Sequence, residues 1–164
     1  MNELKDLEKS FVDMEKALSG RNLTTIVKKA AGPLQSAIQS AAPRKSGTLV
    51  EGIILHKERS RGNGKTVYDV YMDPAKNAIF QKPIQHPVRS KSPYAYYPAS
   101  KEYGFFSRRP GGGMIYTRAD GTKAHMDKVP GKHFMRTGVE VQGEKAKNEI
   151  LGNALSAVEK AFGG

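Results

Sequence analysis

The amino-acid sequence predicts an α+β fold, in which a small antiparallel β-sheet packs against N-terminal and C-terminal helices and carries long loop or hairpin arms. Apolar residues recur at helical spacing near both ends of the 164-residue chain, and β-branched runs beside turn-forming sequences occupy its middle. Because helices precede the strands and a helix follows them, without βαβ alternation, an α+β arrangement is favoured over α/β. The length predicts a single domain over residues 1–164.

Three helices are predicted, and each rests on an apolar stripe of helical period. The first covers 1–20 and is ended by Ser19-Gly20. The second covers 22–42, and Gly32-Pro33 predicts a kink or a division into two short helices because proline removes a backbone donor. The last covers 140–163. The stripes are Leu4, Leu7, Phe11, Met14 and Leu18; Ile26, Ala30, Leu34 and Ile38; and Ala146, Ile150, Ala154 and Val158, with Leu151, Leu155 and Phe162 adjoining.

The sheet and its long loops are predicted within 49–130. Leu49–Leu55 and Thr66–Met72 are rich in β-branched and aromatic residues, which is typical of strands. The segment between them, Ser60–Lys65, contains Asn63-Gly64, a pair that readily adopts the positive φ angles of a hairpin turn. These observations predict a β-hairpin.

The remainder of the middle region predicts a loop followed by an arm. Five prolines within 73–98 disfavour regular structure, apart from a short strand at Asn77–Phe80. Gly104–Pro130 contains a glycine-rich break and a second turn signal at Asp120-Gly121. A projecting hairpin or a mobile arm fits both features.

The composition narrows the classes of function. The absence of cysteine excludes disulfides and thiolate metal sites. The charged N-terminus has no apolar region typical of a signal peptide, and no apolar run is long enough to cross a bilayer, so we expect cytoplasmic synthesis and no membrane contact. The net charge of +11, concentrated in the middle of the chain, predicts a polyanionic partner, with a solvated basic face as the alternative.

The sequence contains no pattern typical of catalysis, so we expect no catalytic residue, no cofactor and no metal. A P-loop follows a strand and precedes a helix, whereas Ala42–Leu49 (APRKSGTL) follows a predicted helix and precedes a predicted strand. Gly64–Thr66 also leads into a strand, and Arg59 occupies the position of the first P-loop glycine. The histidines have no metal-ligand spacing; they are His56, His86, His125 and His133.

Basic residues near the two hairpin tips leave non-specific nucleic-acid binding as an alternative function. Such tips are able to contact phosphate, and the seven tyrosines are able to stack on bases. No recognisable nucleic-acid-binding motif accompanies them, and tyrosine beside arginine is also typical of protein interfaces. The basic residues are Lys57, Arg59, Arg61 and Lys65 at the first tip, and Arg108, Arg109, Arg118 and Lys123 on the second arm.

Three segments, in order, resemble a family of tailed-phage proteins. Ala42–Ile53 (APRKSGTLVEGI) resembles the family's "AP-x-x-TG-x-L" junction, with Ser46-Gly47 in place of Thr-Gly. Tyr94–Gly104 (YAYYPASKEYG) is similar to its "YA-x-Y-x-E-x-G" segment, with an insertion before the glutamate. Pro130–Glu140 (PGKHFMRTGVE) resembles its "PFLRPAL" entry to the last helix. The family is the head–tail joining, or tail-completion, group of long-tailed phages and prophages.

This resemblance implies a structural virion protein of the neck, made in the host cytoplasm, that assembles as a ring of usually six copies and catalyses no reaction. Its partners would be its own copies, the tail-tube protein and the head-connector or stopper proteins, with DNA passing through the lumen. A ring needs two different complementary patches on each subunit. The residues predicted to contact partners are Tyr97, Glu102, Tyr103, Arg108, Arg109 and Arg118, and Pro43 and Gly47 are predicted to form a structural joint.

Overall fold

The computed structural model describes residues 2–59, 65–84, 93–108, 111–117 and 121–162, with side chains from Lys5 onward. It confirms the α+β class. Three long helices build the body: α1 (Asn2–Ala17), α2 (Gly20–Ala41) and α6 (Phe134–Phe162). The shorter elements are α3 (Thr48–Glu51), β1 (Ile53–Lys57), β2 (Tyr68–Met72), a 3-10 turn (Pro74–Lys76), α4 (Asn77–Phe80), β3 (Gln81–Pro83), β4 (Tyr94–Tyr96), α5 (Tyr97–Tyr103), β5 (Gly104–Arg108), β6 (Met114–Thr117) and β7 (Lys123–Pro130).

The core lies where α2 and the first turns of α6 cross the β1–β2 hairpin. Gly138 lets the two helices approach closely, because a Cβ atom at this position would meet the backbone of Ile38. Two amide side chains of α2 also tie the helix to the sheet: Gln35 and Gln39 donate hydrogen bonds to the carbonyl of Ile53, at 2.9 and 3.1 Å. The buried core residues are Ile38, Ala42, Leu49, Ile53 and Phe134.

The strands form three separate antiparallel sheets among the described residues. β1 pairs with β2, with Leu55 opposite Val70, as the first predicted hairpin requires. β3 pairs with β4, and the third sheet has the order β5-β7-β6. The tip of the first hairpin, 60–64, lies outside the described residues, as do 109–110 and 118–120 of the arm.

The strand predicted over Leu49–Leu55 is wrong in its first half. Gly47 adopts a left-handed φ of 77°, and Thr48–Glu51 then forms the short helix α3 before β1 begins at Ile53. Leu49 of α3 and Ile53 of β1 both enter the same buried core. A continuous strand would also place them on one face, because they are four residues apart. Short apolar runs do not by themselves distinguish these two outcomes.

The strand suggested at Asn77–Phe80 is also wrong, since this segment is the helical turn α4. The cause lies just upstream, where the Asp73 side chain accepts a hydrogen bond from the backbone N–H of Ala75 at 2.9 Å and Pro74 occupies the first helical position. A side-chain acceptor on the residue just before a helix and a proline directly after that residue both favour the start of the helix. Phe80, at the end of α4, is buried against Gly52.

The long helices differ from their predicted bounds at the ends. α2 continues as one helix through Pro33, so the chain does not divide into two short helices there. α6 begins at Phe134, six residues before the predicted start, directly after His133, whose φ is 48°. The stretch Pro130–Gly138 therefore combines the end of β7, a tight turn and the first turn of α6.

Candidate assembly surfaces

The second and third family-like segments meet at the start of α6, around Glu102. This side chain is 6% exposed, and its carboxylate accepts hydrogen bonds from the backbone N–H groups of Met135 at 2.9 Å and Arg136 at 3.3 Å. Its own backbone carbonyl accepts a hydrogen bond from His133 N–H at 3.1 Å. Gly131 packs so tightly against Glu102 that a Cβ atom there would meet the glutamate carbonyl. Glu102 therefore serves as an internal helix cap.

The other predicted contact residues lie in different environments. Tyr97 is half-buried against the core, with the Lys101 ammonium 5.3 Å from its ring centroid. Tyr103 is 73% exposed at the end of α5. Arg108 is exposed on the arm, where it donates a hydrogen bond to the Tyr116 hydroxyl at 3.2 Å. Arg109 and Arg118 lie outside the described residues.

The joint predicted from Pro43 and Gly47 lies between α2 and α3. Ala42, the last residue before Pro43, is extended, as expected for a residue that precedes proline. The φ of 77° at Gly47 is one that side-chain-bearing residues rarely adopt. The segment redirects the chain from one helix into the next, and neither end presents the strand-to-helix geometry of a phosphate loop.

We call the sheet of β5, β6 and β7 the arm. It is joined to the body mainly through α5, and both of its faces carry exposed apolar side chains. Residues directly opposite in the register share a face, so Phe106 and Met114 lie on one face while Phe105 and Ile115 lie on the other. Phe106 is 51% exposed and Ile115 is 59% exposed. A three-stranded sheet normally buries one face to be stable, and exposed apolar patches are typical of surfaces that a partner covers.

A second apolar surface, which we call the helix end, is formed by α1 and the C-terminal half of α6. Phe11 of α1 and Phe162 of α6 meet edge to face, with ring centroids 6.4 Å apart, and both remain about half exposed. Leu151 and Leu155 are also exposed, and their spacing places them on the same face of α6 as Phe162. Leu7, one turn before Phe11, is exposed as well.

A groove of about 720 Å³ opens beside the base of the arm. Its walls come from α2, β2, α5 and α6, and its floor is apolar, with Leu34, Val70 and Met135 among the lining residues. Asp69 and Tyr103 lie among the polar residues of the same groove. The groove is shaped to receive apolar side chains.

The sequence placed the apolar residues of the helix end in or beside helical stripes but did not indicate their exposure, and β5 was not predicted. The available signal was the width of the apolar surface on α6: Val139, Val141, Leu151 and Leu155 point in several directions around one helix and are all about half exposed or more. Such a helix has more apolar surface than one neighbouring helix covers.

The described residues bring together no group of three or more histidine, aspartate or glutamate side chains with the geometry of a metal site. Within the same ranges, no helix combines the length and the apolar character needed to traverse a membrane. All buried side-chain nitrogen and oxygen atoms of the described, non-exposed residues have a hydrogen-bond partner.

Exposed apolar surfaces such as the arm and the helix end are typical of sites where a protein contacts a partner. The family comparison agrees: residues 5–98, more than half of the chain, match the model described as "Bacteriophage HK97-gp10, putative tail-component". The chain belongs to this HK97-gp10-like family of phage tail components. The matched range runs from α1 into α5 and ends before the arm. No curated protein and no solved structure gives a significant match to the chain.

Proposed function

We propose that this tail component acts in the phage neck, where it completes the tail and joins it to the head connector by assembling as a ring, expected to have six copies. Its role is structural and involves no reaction. The observation that carries the proposal is the arm, whose two faces expose Phe105, Phe106 and Ile115 to solvent in the single chain. An isolated sheet of this kind gains stability when a neighbouring subunit covers it.

The partners follow from this role. Each subunit contacts its own copies, and the ring contacts the tail-tube protein on one side and the head-connector or stopper protein on the other. The protein is made in the host cytoplasm and incorporated into the virion. The basic residues that the ring does not use in subunit contacts face the DNA path, where they contact phosphates without sequence preference.

The role in joining is tested in the phage itself. Removing the gene that encodes this chain should leave DNA-filled heads and separate tails, which electron microscopy of the lysate distinguishes from complete virions. Supplying the wild-type chain from a plasmid should restore joined particles. Complete, infectious particles without the chain would contradict the proposal, and heads that fail to fill with DNA would point to an earlier role.

The mass of the purified protein, measured by light scattering with and without DNA at moderate salt, separates the proposal from the nucleic-acid alternative. A mass near six subunits with little DNA binding supports the ring. A monomer that binds DNA, with an affinity that falls steeply as salt rises, supports a non-specific nucleic-acid-binding protein that uses its basic tips. A monomer that does not bind DNA is expected if ring closure requires the growing tail. The lysate experiment then decides between the two functions.

A further inference from the structure

We propose that the arm of one copy docks on the helix end of the next copy, so that these two surfaces form the contact between neighbouring subunits. The inference rests on the proposed ring and names the two faces that meet in it. Three features of the described residues support it: the exposed apolar side chains of both surfaces, their opposite charges, and their positions at opposite ends of α6.

The positions exclude docking within one chain. The arm connects through Gly131–His133 to the first residue of α6, whereas Leu151, Leu155 and Phe162 lie 17 to 28 residues further along the same helix. At about 1.5 Å per residue, this places the helix end roughly 25–42 Å from the base of the arm. Within the described parts of the chain, the arm has no extensive packing against α1 or α6. The two surfaces can therefore meet only between copies.

The charges are complementary. The segment 104–130 carries five basic residues against two acidic ones, while α1 carries five acidic residues against three basic ones. Glu8 and Glu15 are both exposed on α1, and their seven-residue separation places them on one helical face next to Leu7 and Phe11. On the arm, Lys128 lies opposite Phe106, and Arg108 is on the same face. Each surface thus combines apolar anchors with flanking charges of one sign, an arrangement that favours correct pairing between subunits.

The contact is heterologous, because the surface that docks differs from the surface that receives it. Such a contact leaves one arm and one helix end unpaired in a dimer, and it closes only when the copies return to the first subunit as a ring. The groove beside the arm is the competing receptor for the same apolar side chains. Its lining includes Asp69 and Glu140 as well as Arg136 and His133, so charge alone does not distinguish the two receptors, and cross-linking must do so.

Cross-linking tests the contact directly, because the natural chain contains no cysteine. One variant carries Met114→Cys on the arm, on the same face as Phe106, and a second carries Leu155→Cys on the helix end. Mixing the two full-length chains at high concentration with a short bismaleimide should yield a covalent dimer of one chain of each type, identified by mass spectrometry. A mixture in which Ile79→Cys replaces Leu155→Cys is the matched control, since Ile79 is similarly exposed but lies on α4.

Charge reversal gives a second, independent readout. Arg108→Glu with Lys128→Glu reverses the charge of the arm, and Glu8→Lys with Glu15→Lys reverses the charge of the helix end. We expect either pair alone to lower the yield of the mixed cross-link at least tenfold. Reversing the arm on one chain and the helix end on the other should restore it. Arg44→Glu with Lys45→Glu changes the net charge by as much as the arm reversal does, at exposed positions outside both surfaces, and should have no effect.

The outcomes separate this inference from the proposed function. A ring-sized mass without the mixed cross-link, or with efficient arm-to-arm cross-links in the Met114→Cys chain alone, would overturn the arm-to-helix contact and leave the ring intact. Cross-linking of Met114→Cys to Leu34→Cys instead would assign the arm to the groove and also overturn the arm-to-helix contact. A mixed cross-link in a chain whose removal leaves virions complete would establish the contact and refute the neck role.

Discussion

The carboxylate of Glu102 accepts a hydrogen bond from the backbone N–H of Met135, 33 positions along the chain, at 2.9 Å. A second oxygen accepts from the N–H of Arg136. The first N–H groups of a helix have no partner within the helix, and negative charge is favoured beside them. A side chain of α5 thus completes the N-terminus of α6. Since α5 leads directly into the arm, this one contact fixes the base of the arm against the longest helix.

We expect Glu102→Ala to lower the free energy of unfolding by about 1–3 kcal/mol, because two backbone N–H groups at the start of α6 lose their acceptor. Glu102→Gln keeps one acceptor oxygen but loses the charge, so its effect should be smaller. Denaturant titration followed by circular dichroism measures both. The matched control is Glu140→Ala, which removes an exposed ion pair with Arg136 and should cost less than about 0.5 kcal/mol. Equal losses at both glutamates would contradict the capping role.

This contact illustrates what the sequence could and could not predict. The segments around Glu102 and Met135 were identified individually, but nothing in a single sequence shows that they touch, because capping acceptors are usually the residue just before the helix. The three long helices and the two hairpins were predictable because their apolar periods and turn residues are local signals. β5 was missed because Phe105 and Phe106 are adjacent and give no alternation.

The candidate surfaces were predictable only in part. The basic character of the arm was predictable, because its arginines and lysines are recognisable in the sequence. Exposure did not follow from sequence, because the spacing of Leu151 and Leu155 is the same whether a helix packs inside one chain or between two. The sequence therefore predicted the class of protein and the basic surface, and the structure was needed to show which apolar residues remain uncovered.

Two glycines of α6 should respond in opposite directions to replacement by alanine. A Cβ atom on Gly138 would lie 2.6 Å from the Cα atom of Ile38, so Gly138→Ala must push α2 and α6 apart and should cost about 1–3 kcal/mol. Gly152 is exposed and has no neighbouring atom within 4 Å of its hypothetical Cβ atom, so Gly152→Ala should stabilise by about 0.5–1 kcal/mol. Thermal unfolding of both variants measures the difference. Similar shifts of the two midpoints would contradict the close helix crossing.

Stability should decline at alkaline pH through Tyr96. Burial raises the pKa of its phenol above the ordinary 10.0, because the charged phenolate loses hydration. The folded chain then holds this proton more tightly than the unfolded chain does. The contribution of Tyr96 to the free energy of unfolding is therefore complete below pH 10 and is lost as pH rises toward the folded pKa. Denaturant titration at several pH values should show that Tyr96→Phe loses less free energy of unfolding between about pH 9 and 11 than the wild type does. Tyr94→Phe, an exposed neighbour in the same strand, is the control. Identical slopes for Tyr96→Phe and the wild type would contradict this assignment.

The arm should tolerate polar residues in the single chain but not in the assembly. Phe106 and Ile115 are mostly exposed, so Phe106→Ser with Ile115→Ser should change the free energy of unfolding of the monomer by only about 0.5 kcal/mol per site. If neighbouring copies cover the arm, the same substitutions remove the apolar anchors of that contact and should abolish complementation in a phage that lacks the chain. Ile79→Ser, equally exposed on α4, should leave complementation intact. A variant that is unfolded would show that the arm supports its own chain, and one that complements fully would show that no partner uses these side chains.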